Sequence, residues 1–243
     1  INLRGDYLVN KNMAQITVGF SDLNPVIFAP LSPKLKTLEN LNLPLSGDVN
    51  LVVQKDGEVN KVKFNISSGR GKIAFQEPIR VSAMVKEIKF LGQYDKTVSR
   101  LKIENFTLDL GKDGAFRLPA PFDHDWPSRK VSLKGDYDFD FERLTVQEIN
   151  FFIKGIIVNA SATIQKFKNK VTFEFDGKAN NLAIRQVLAA WPKEFSGITR
   201  KWLAENLVEG SIPAMKANMI GHYSRKNGFE ISSILGIIDF QDV

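Results

Sequence analysis

Six glycines, Gly5, Gly47, Gly92, Gly135, Gly177 and Gly221, divide the chain into intervals of 42, 45, 43, 42 and 44 residues. Two of them carry long matching tails. Leu91-Gly92-Gln93-Tyr94-Asp95 is followed by Arg100, Leu101 and Ile103, then Phe106, Leu108 and Leu110. Lys134-Gly135-Asp136-Tyr137-Asp138 is followed at the same offsets by Arg143, Leu144 and Val146, then Ile149, Phe151 and Ile153. Weaker copies open at Arg4-Gly5-Asp6-Tyr7, Ser46-Gly47-Asp48-Val49, Asp176-Gly177-Lys178-Ala179 and Ile220-Gly221-His222-Tyr223. A fixed period of this size marks a repeat architecture, in which one unit cannot bury its own apolar face and must share it with its neighbours. The chain therefore reads as a single β-repeat domain over residues 1–243, with units starting near 5, 47, 92, 135, 177 and 221.

Within each unit the hydrophobic period is two. Val49, Leu51 and Val53 alternate with polar neighbours, as do Val62, Phe64 and Ile66, and Leu101 and Ile103. Val131 and Leu133, Phe139 and Phe141, and Val171, Phe173 and Phe175 follow the same rule. This is the pattern of antiparallel strands with one apolar and one wetted face. Lys55-Asp56-Gly57, Lys112-Asp113-Gly114 and Lys226-Asn227-Gly228 supply hairpin turns between them. Each repeat reads as about three strands. A propeller of similar period would repeat Trp-Asp and Gly-His pairs in every blade, and the chain does not.

Two regions read as helical. Asn24-Pro25 and Ser32-Pro33 each place a capping residue before a proline, predicting short turns around 25–40. A second region around 182–208 has Asn181 as a cap, then Ile184, Val187, Leu188 and Trp191 at helical spacing. Pro192 interrupts it, and Phe195, Ile198, Trp202, Leu203 and Leu207 follow on one side, with Gly210 just past the end. Roughly 17 strands of ~6 residues present about 1,600 Å² on one face. About 30 helical residues cover about 450 Å² at most. The sheet must therefore close as a sandwich or barrel, or curl into a groove whose apolar lining meets something else.

Composition sharpens this. The 243 residues include 18 Phe against 4 Tyr, a bias toward rings without a polar handle. No cysteine is present, which removes disulfide frameworks, thiolate zinc sites and cysteine nucleophiles. Two histidines, His124 and His222, leave little material for a metal site or a triad. Asp123-His124-Asp125, near Asp136, Asp138 and Asp140, fits neither EF-hand nor zincin spacing, so no metal or cofactor is expected. Ser67-Ser68-Gly69-Arg70-Gly71-Lys72 lacks the spacing of a phosphate loop and leads into a strand. Lys166, Lys168 and Lys170 beside Phe167 read as protection of an edge strand, and no nucleic-acid partner is expected. No apolar run approaches the ~18 residues of a membrane span. Both ends lie in strand-like sequence, residues 1–9 and 229–240, which predicts a piece of a longer chain.

One resemblance accompanies these readings. Trp191-Pro192, then Arg200-Lys201-Trp202-Leu203, then Asn206-Leu207-Val208-Glu209-Gly210, resembles a signature of the AsmA-like bacterial envelope proteins in their YhdP branch. Leu43-Pro44-Leu45-Ser46-Gly47 and Gly69-Arg70-Gly71-Lys72-Ile73 are similar to that family's recurring strand opening and glycine-paired strand. The similarity runs over roughly residues 20–243. It implies a periplasmic protein of the cell envelope, tethered to the inner membrane by a helix outside this segment. It further implies a long β-groove that conducts phospholipid between inner and outer membranes without catalysis, so no catalytic residue is carried over.

The expected fold is mostly β: one curled, groove-like antiparallel sheet with a short helical turn around 25–40 and a short helical insertion around 182–208. The expected groove lining is Val49, Leu51, Val53, Val62, Phe64, Ile66, Leu101, Ile103, Leu108, Val131, Leu133, Phe139, Phe141, Val146, Phe151, Ile153, Phe173 and Phe175. Trp191, Phe195 and Trp202 are expected to pack the helix on the sheet or to cap the groove. The expected partners are phospholipid acyl chains, neighbouring segments of the same longer chain, and a membrane reached through an anchor elsewhere. The competing reading is a closed all-β structural or adhesive scaffold without lipid cargo. A polymer hydrolase would need a convergent carboxylate pair, and the sequence offers none.

Overall fold

Strand alternation dominates the computed structural model of the chain, which describes residues 1–8, 13–75, 81–117, 125–153, 156–167, 169–190, 197–207, 210–224 and 226–241. Twelve long strands form the main sheet: β1 (Asn2–Leu8), β2 (Met13–Leu23), β4 (Leu45–Gln54), β5 (Val59–Ser68), β8 (Glu87–Asp95), β9 (Arg100–Asp109), β11 (Asp125–Asp138), β12 (Arg143–Ile153), β13 (Ile156–Phe167), β14 (Lys170–Ala183), β15 (Ser211–Ser224) and β16 (Gly228–Gln241). They lie side by side in ascending chain order, all antiparallel, and the sheet is not closed into a barrel. Four short strands, β3 (Leu41–Asn42), β6 (Gly71–Phe75), β7 (Val81–Val85) and β10 (Ala115–Arg117), make a side sheet in the order β3-β6-β7-β10. It joins the main sheet through β11, which pairs β10 by residues 125–127 and β9 from residue 130 onward.

The register separates the two faces cleanly. One row of cross-strand partners runs Gly5, Ile16, Leu51, Val62, Tyr94, Leu101, Tyr137, Leu144, Ile164, Phe173, Gly221 and Ile231. It crosses all twelve strands without one charged side chain. The adjacent row runs Asp6, Gln15, Val52, Lys61, Asp95, Arg100, Asp138, Arg143, Gln165, Thr172, His222 and Glu230. Lys61, Asp95, Arg100, Asp138 and Arg143 alternate in sign on five neighbouring strands, an arrangement that favours this register over a one-residue slip. Lys61–Asp95 and Arg100–Asp138 close at 3.1 and 3.4 Å, and His222–Glu230 at 2.7 Å.

Two small cores occupy the same end of the strands. Under the side sheet, Leu43, Ile73, Ala83, Val85 and Leu110 are buried against Leu45, Ile88 and Leu108 of the main sheet. Under helix α1 (Ile184–Ala190), Ile184 and Val187 are buried with Ile156, Ala179, Leu182 and Ile212, against Val158, Met215 and Ile238. Helix α2 (Gly197–Asn206) adds the buried Leu203. The predicted turn region is two 3-10 segments, Pro25–Leu31 and Pro33–Asn40, the first capped by Asn24, whose side chain accepts from the Val26 amide. The cap of α1 differs from the expectation. Asn181 sits within β14 at φ 55°, and Gln186 instead reaches back to accept from the Ala183 amide at 2.9 Å. A side chain three residues into the helix can satisfy the first orphan donor, so the capping residue itself need not be polar.

Three of the six repeat glycines meet the register at irregular points. Pairing shifts between Leu91 and Gly92, between Lys134 and Gly135, and between Ile220 and Gly221. Such bulges bend a strand and raise its local twist, which is how a wide sheet acquires curl. Strand count per interval is uneven: the Gly135 interval adds three strands to the main sheet, whereas the Gly177 interval adds β14 and then both helices.

Candidate functional site

Covering elements leave most of the apolar face open. Twelve strands averaging ~11 residues present roughly 2,100 Å² per face. The helices and the side sheet together cover roughly 500 Å² at one end. What remains is a trough across the strands, walled at one end by the two small cores and bounded at the other by the hairpin turns. In its middle, Val146 is only 2% exposed. Its cross-strand partners on that face are the small Gly135 and Ala162. Phe64 and Phe90 sit 5.9 Å apart, Phe151 and Phe175 6.3 Å, and Phe173 and Phe229 5.9 Å between centroids.

Small residues give those rings room. At Gly221 an added Cβ would come within 2.7 Å of the Phe173 ring and 2.5 Å of the Glu230 carbonyl oxygen. Phe173 is the direct cross-strand partner of Gly221, so its ring lies down over the bare backbone. At Gly47, with φ +149°, an added Cβ would stand 2.0 Å from the Asn65 carbonyl oxygen. Strand β5 approaches β4 more closely there than any other residue allows.

Register places Val49, Leu51, Val53, Val62, Phe64, Ile66, Leu101, Ile103, Leu108, Val131, Leu133, Val146, Phe151, Phe173 and Phe175 on this one face. Leu108 belongs partly to the core under the side sheet. The backbone of Ile153 pairs with Ile156 at the end of β12, and its side chain lies outside the described residues. Phe139 and Phe141 depart from the strand expectation. Both lie in the turn after β11, 49% and 61% exposed. The Asp138 carboxylate accepts from the Asp140 and Phe141 amides at 3.1 and 3.2 Å, an Asx-type turn that ends the strand before the alternation can continue. Trp191 and Phe195 lie outside the described residues. On the predicted side of α2, Leu203 is buried, while Trp202 is 54% exposed and Ile198 87%. Tyr94 and Tyr137 were absent from the expected lining, yet both stand on the trough face. The signal was present in the repeat, since each follows its glycine by two residues and therefore shares its face.

The opposite face holds a separate hollow of about 600 Å³, lined by Gln147, Glu148, Asn150, Asn159, Ser161, Asp176, Lys178, Lys216 and Asn218 together with the apolar Leu235 and Ile237 of β16. Part of its polar lining is tied together. The Asn159 amide donates to Asn150, Asn150 donates to Glu148 at 2.8 Å, and Asn218 donates to Asp176 at 2.9 Å. Hydrogen bonds from Lys134 and Asn150 hold the Glu148 carboxyl below the usual carboxylate range. A glycosidase acid needs the reverse, a carboxyl raised by burial. The trough offers a candidate site for an apolar ligand, and the hollow one for a more polar ligand. Among the described residues no three His, Asp or Glu side chains converge as metal ligands, and Asp123 and His124 lie outside them. No helix among the described residues is long and apolar enough to cross a membrane. No protein-family model, curated protein or solved structure matches the chain.

Proposed function

We propose that the chain is a non-enzymatic lipid-binding segment of a periplasmic, inner-membrane-tethered envelope protein that conducts phospholipid between the inner and outer membranes. The observation that supports it is the uncharged row crossing all twelve strands beneath a largely uncovered face. Acyl chains lie along that row and the headgroup stays at the open side. Each methylene removed from water contributes about 0.8 kcal/mol, so two chains are held without a specific polar contact. Neighbouring sites are nearly equivalent along the trough, which keeps barriers to sliding low. Further strands of a longer chain continue the sheet at its two free edges, β1 and β16. The competing reading, a closed scaffold without cargo, requires the apolar face to meet another part of the chain, and the open sheet does not favour it.

The test is mass spectrometry of the natively purified protein, followed by transfer of an acyl-labelled fluorescent phospholipid between vesicles. Leu144→Glu places a charge in the middle of the row and stops transfer, while Thr145→Glu, on the wet face of the same strand, does not. Absence of copurifying lipid together with unshielded acyl label ends the proposal.

A further inference from the structure

The turns at the uncovered end of the trough form one edge. Phe139 donates its amide to the Ser99 carbonyl at 2.9 Å, joining the β8–β9 and β11–β12 turns. Lys166 donates its amide to the Glu142 carbonyl at 3.0 Å, joining the second of these to the β13–β14 hairpin. Along that edge stand Val98, Phe139, Phe141 and Phe167, 56%, 49%, 61% and 62% exposed. Single exposed apolar side chains need no explanation, but four on three linked turns form a ridge. By register Phe167 shares the wet side with Gln165, and Arg143 of the wet row lies over Phe141, so the ridge straddles the edge of the sheet.

Charge narrows the choice of occupant. Lys96 pairs with Glu58, Arg100 with Asp138 at 3.4 Å and Lys166 with Glu142 at 2.7 Å. The Arg143 guanidinium lies 5.6 Å over the Phe141 ring. The ridge thus carries apolar tips above a largely self-neutralised base, an arrangement suited to insertion and poorly suited to charge-driven adhesion. At Phe139 it reaches the trough. Phe139 meets Tyr94 edge-on at 5.4 Å and Tyr137 at 4.7 Å, and both tyrosines line the trough face.

We propose that this turn edge is a membrane-docking rim, which inserts Phe139, Phe141 and Phe167 into the interfacial layer of a phospholipid bilayer and brings the mouth of the trough to the lipid surface. The proposal goes beyond lipid conduction and stands without it, because bilayer docking and acyl-chain capture are measured separately. The experiment is cosedimentation of the purified chain with vesicles of phosphatidylcholine and with vesicles containing phosphatidylglycerol. Binding to both is expected, nearly unchanged at about 0.5 M salt, where surface charge is screened within ~4 Å. The double variant Phe141→Ser/Phe167→Ser binds roughly 25-fold more weakly, about fivefold for each partly exposed ring. Phe141→Leu/Phe167→Leu retains most of the binding, and a double variant on the back of the edge strand, Leu235→Ser/Ile237→Ser, binds as the parent does. Circular dichroism confirms that each variant keeps the β fold. Several results overturn the proposal: no binding to either vesicle, binding only to phosphatidylglycerol that salt abolishes, or an undiminished serine variant. A ridge that ignores vesicles but joins copies of the chain, seen as a mass that falls in the serine variant, also overturns it.

Discussion

Replacing the repeat glycines by alanine tests whether the ladder reports sheet geometry. An added Cβ meets nothing within 4 Å at Gly5, only the Phe175 ring at 2.8 Å at Gly177, a backbone carbonyl at 2.5 Å at Gly221, and a backbone carbonyl at 2.0 Å at Gly47. Rings can swing aside, whereas a paired strand's carbonyl cannot. Overpacking against fixed neighbours costs about 1–3 kcal/mol. At Gly47 the φ of +149° adds about 1–3 kcal/mol for an L residue held in a sparsely populated region. The expected losses are therefore within ~0.5 kcal/mol for Gly5→Ala, about 1 for Gly177→Ala, about 2–3 for Gly221→Ala and about 3–5 for Gly47→Ala. Urea denaturation followed by circular dichroism measures them as shifts in midpoint at constant slope. Gly177→Ala combined with Phe175→Leu should cost less than the sum of the singles, because the clash is with the removed ring. If Gly47→Ala and Gly5→Ala prove equally stable, the close approach of β4 and β5 does not exist. The glycine period would then need another cause.

Other consequences are equally direct. Ser128 is 3% exposed and its Oγ has no hydrogen-bond partner among the described residues, so Ser128→Ala should leave stability unchanged or raise it by up to about 1 kcal/mol in thermal melts. Val187→Ala, on the buried side of α1 at 4% exposure, should cost about 2 kcal/mol and speed amide exchange in the helix before the central strands. Thr97 and Lys61 lower the Asp95 carboxyl, the Gly111 amide and Lys86 lower Asp109, and Lys134 and Asn150 lower Glu148. These contributions are present above the unfolded pKa and are lost as pH falls through the folded ones, so the acid decline should begin below about pH 4. Glu58 raises Lys96 and Glu142 raises Lys166, contributions present below the unfolded lysine pKa and lost as pH climbs through the folded value. An alkaline decline above about pH 10.5 is expected, with a midpoint plateau between the two limits.

Period-two alternation made the strand faces legible because burial on one face leaves a mark on every second residue. Fifteen of the predicted lining positions consequently fall on a common face by register. The pattern misplaced Phe139 and Phe141, where alternation continues past the strand because a turn tip imposes no burial of its own. Only the Asp138 side chain, accepting two amides, distinguishes that turn from more strand. The helical insertion was visible from spacing, but which residue of α2 is buried was not. Helical periodicity groups Ile198, Trp202 and Leu203 together, while within α2 only Leu203 is buried. The side sheet was illegible for a different reason: β3, β6, β7 and β10 hold two to five residues each, too few for a period to emerge.

The ascending strand order bears on how such a chain acquires its structure. Every strand of the main sheet pairs with the long strand before it, and the chain never returns to complete an earlier gap. Sheets with distant pairings must close large loops before any contact rewards them, and they fold slowly for that reason. Here each hairpin can add to a growing edge in the order of synthesis. The excursions before β4, β8, β11 and β15 delay four additions, and the strands of the first three meet one another only in the side sheet. Assembly can therefore proceed as a zipper from any formed pair, and a trough of this width becomes accessible without a single global collapse.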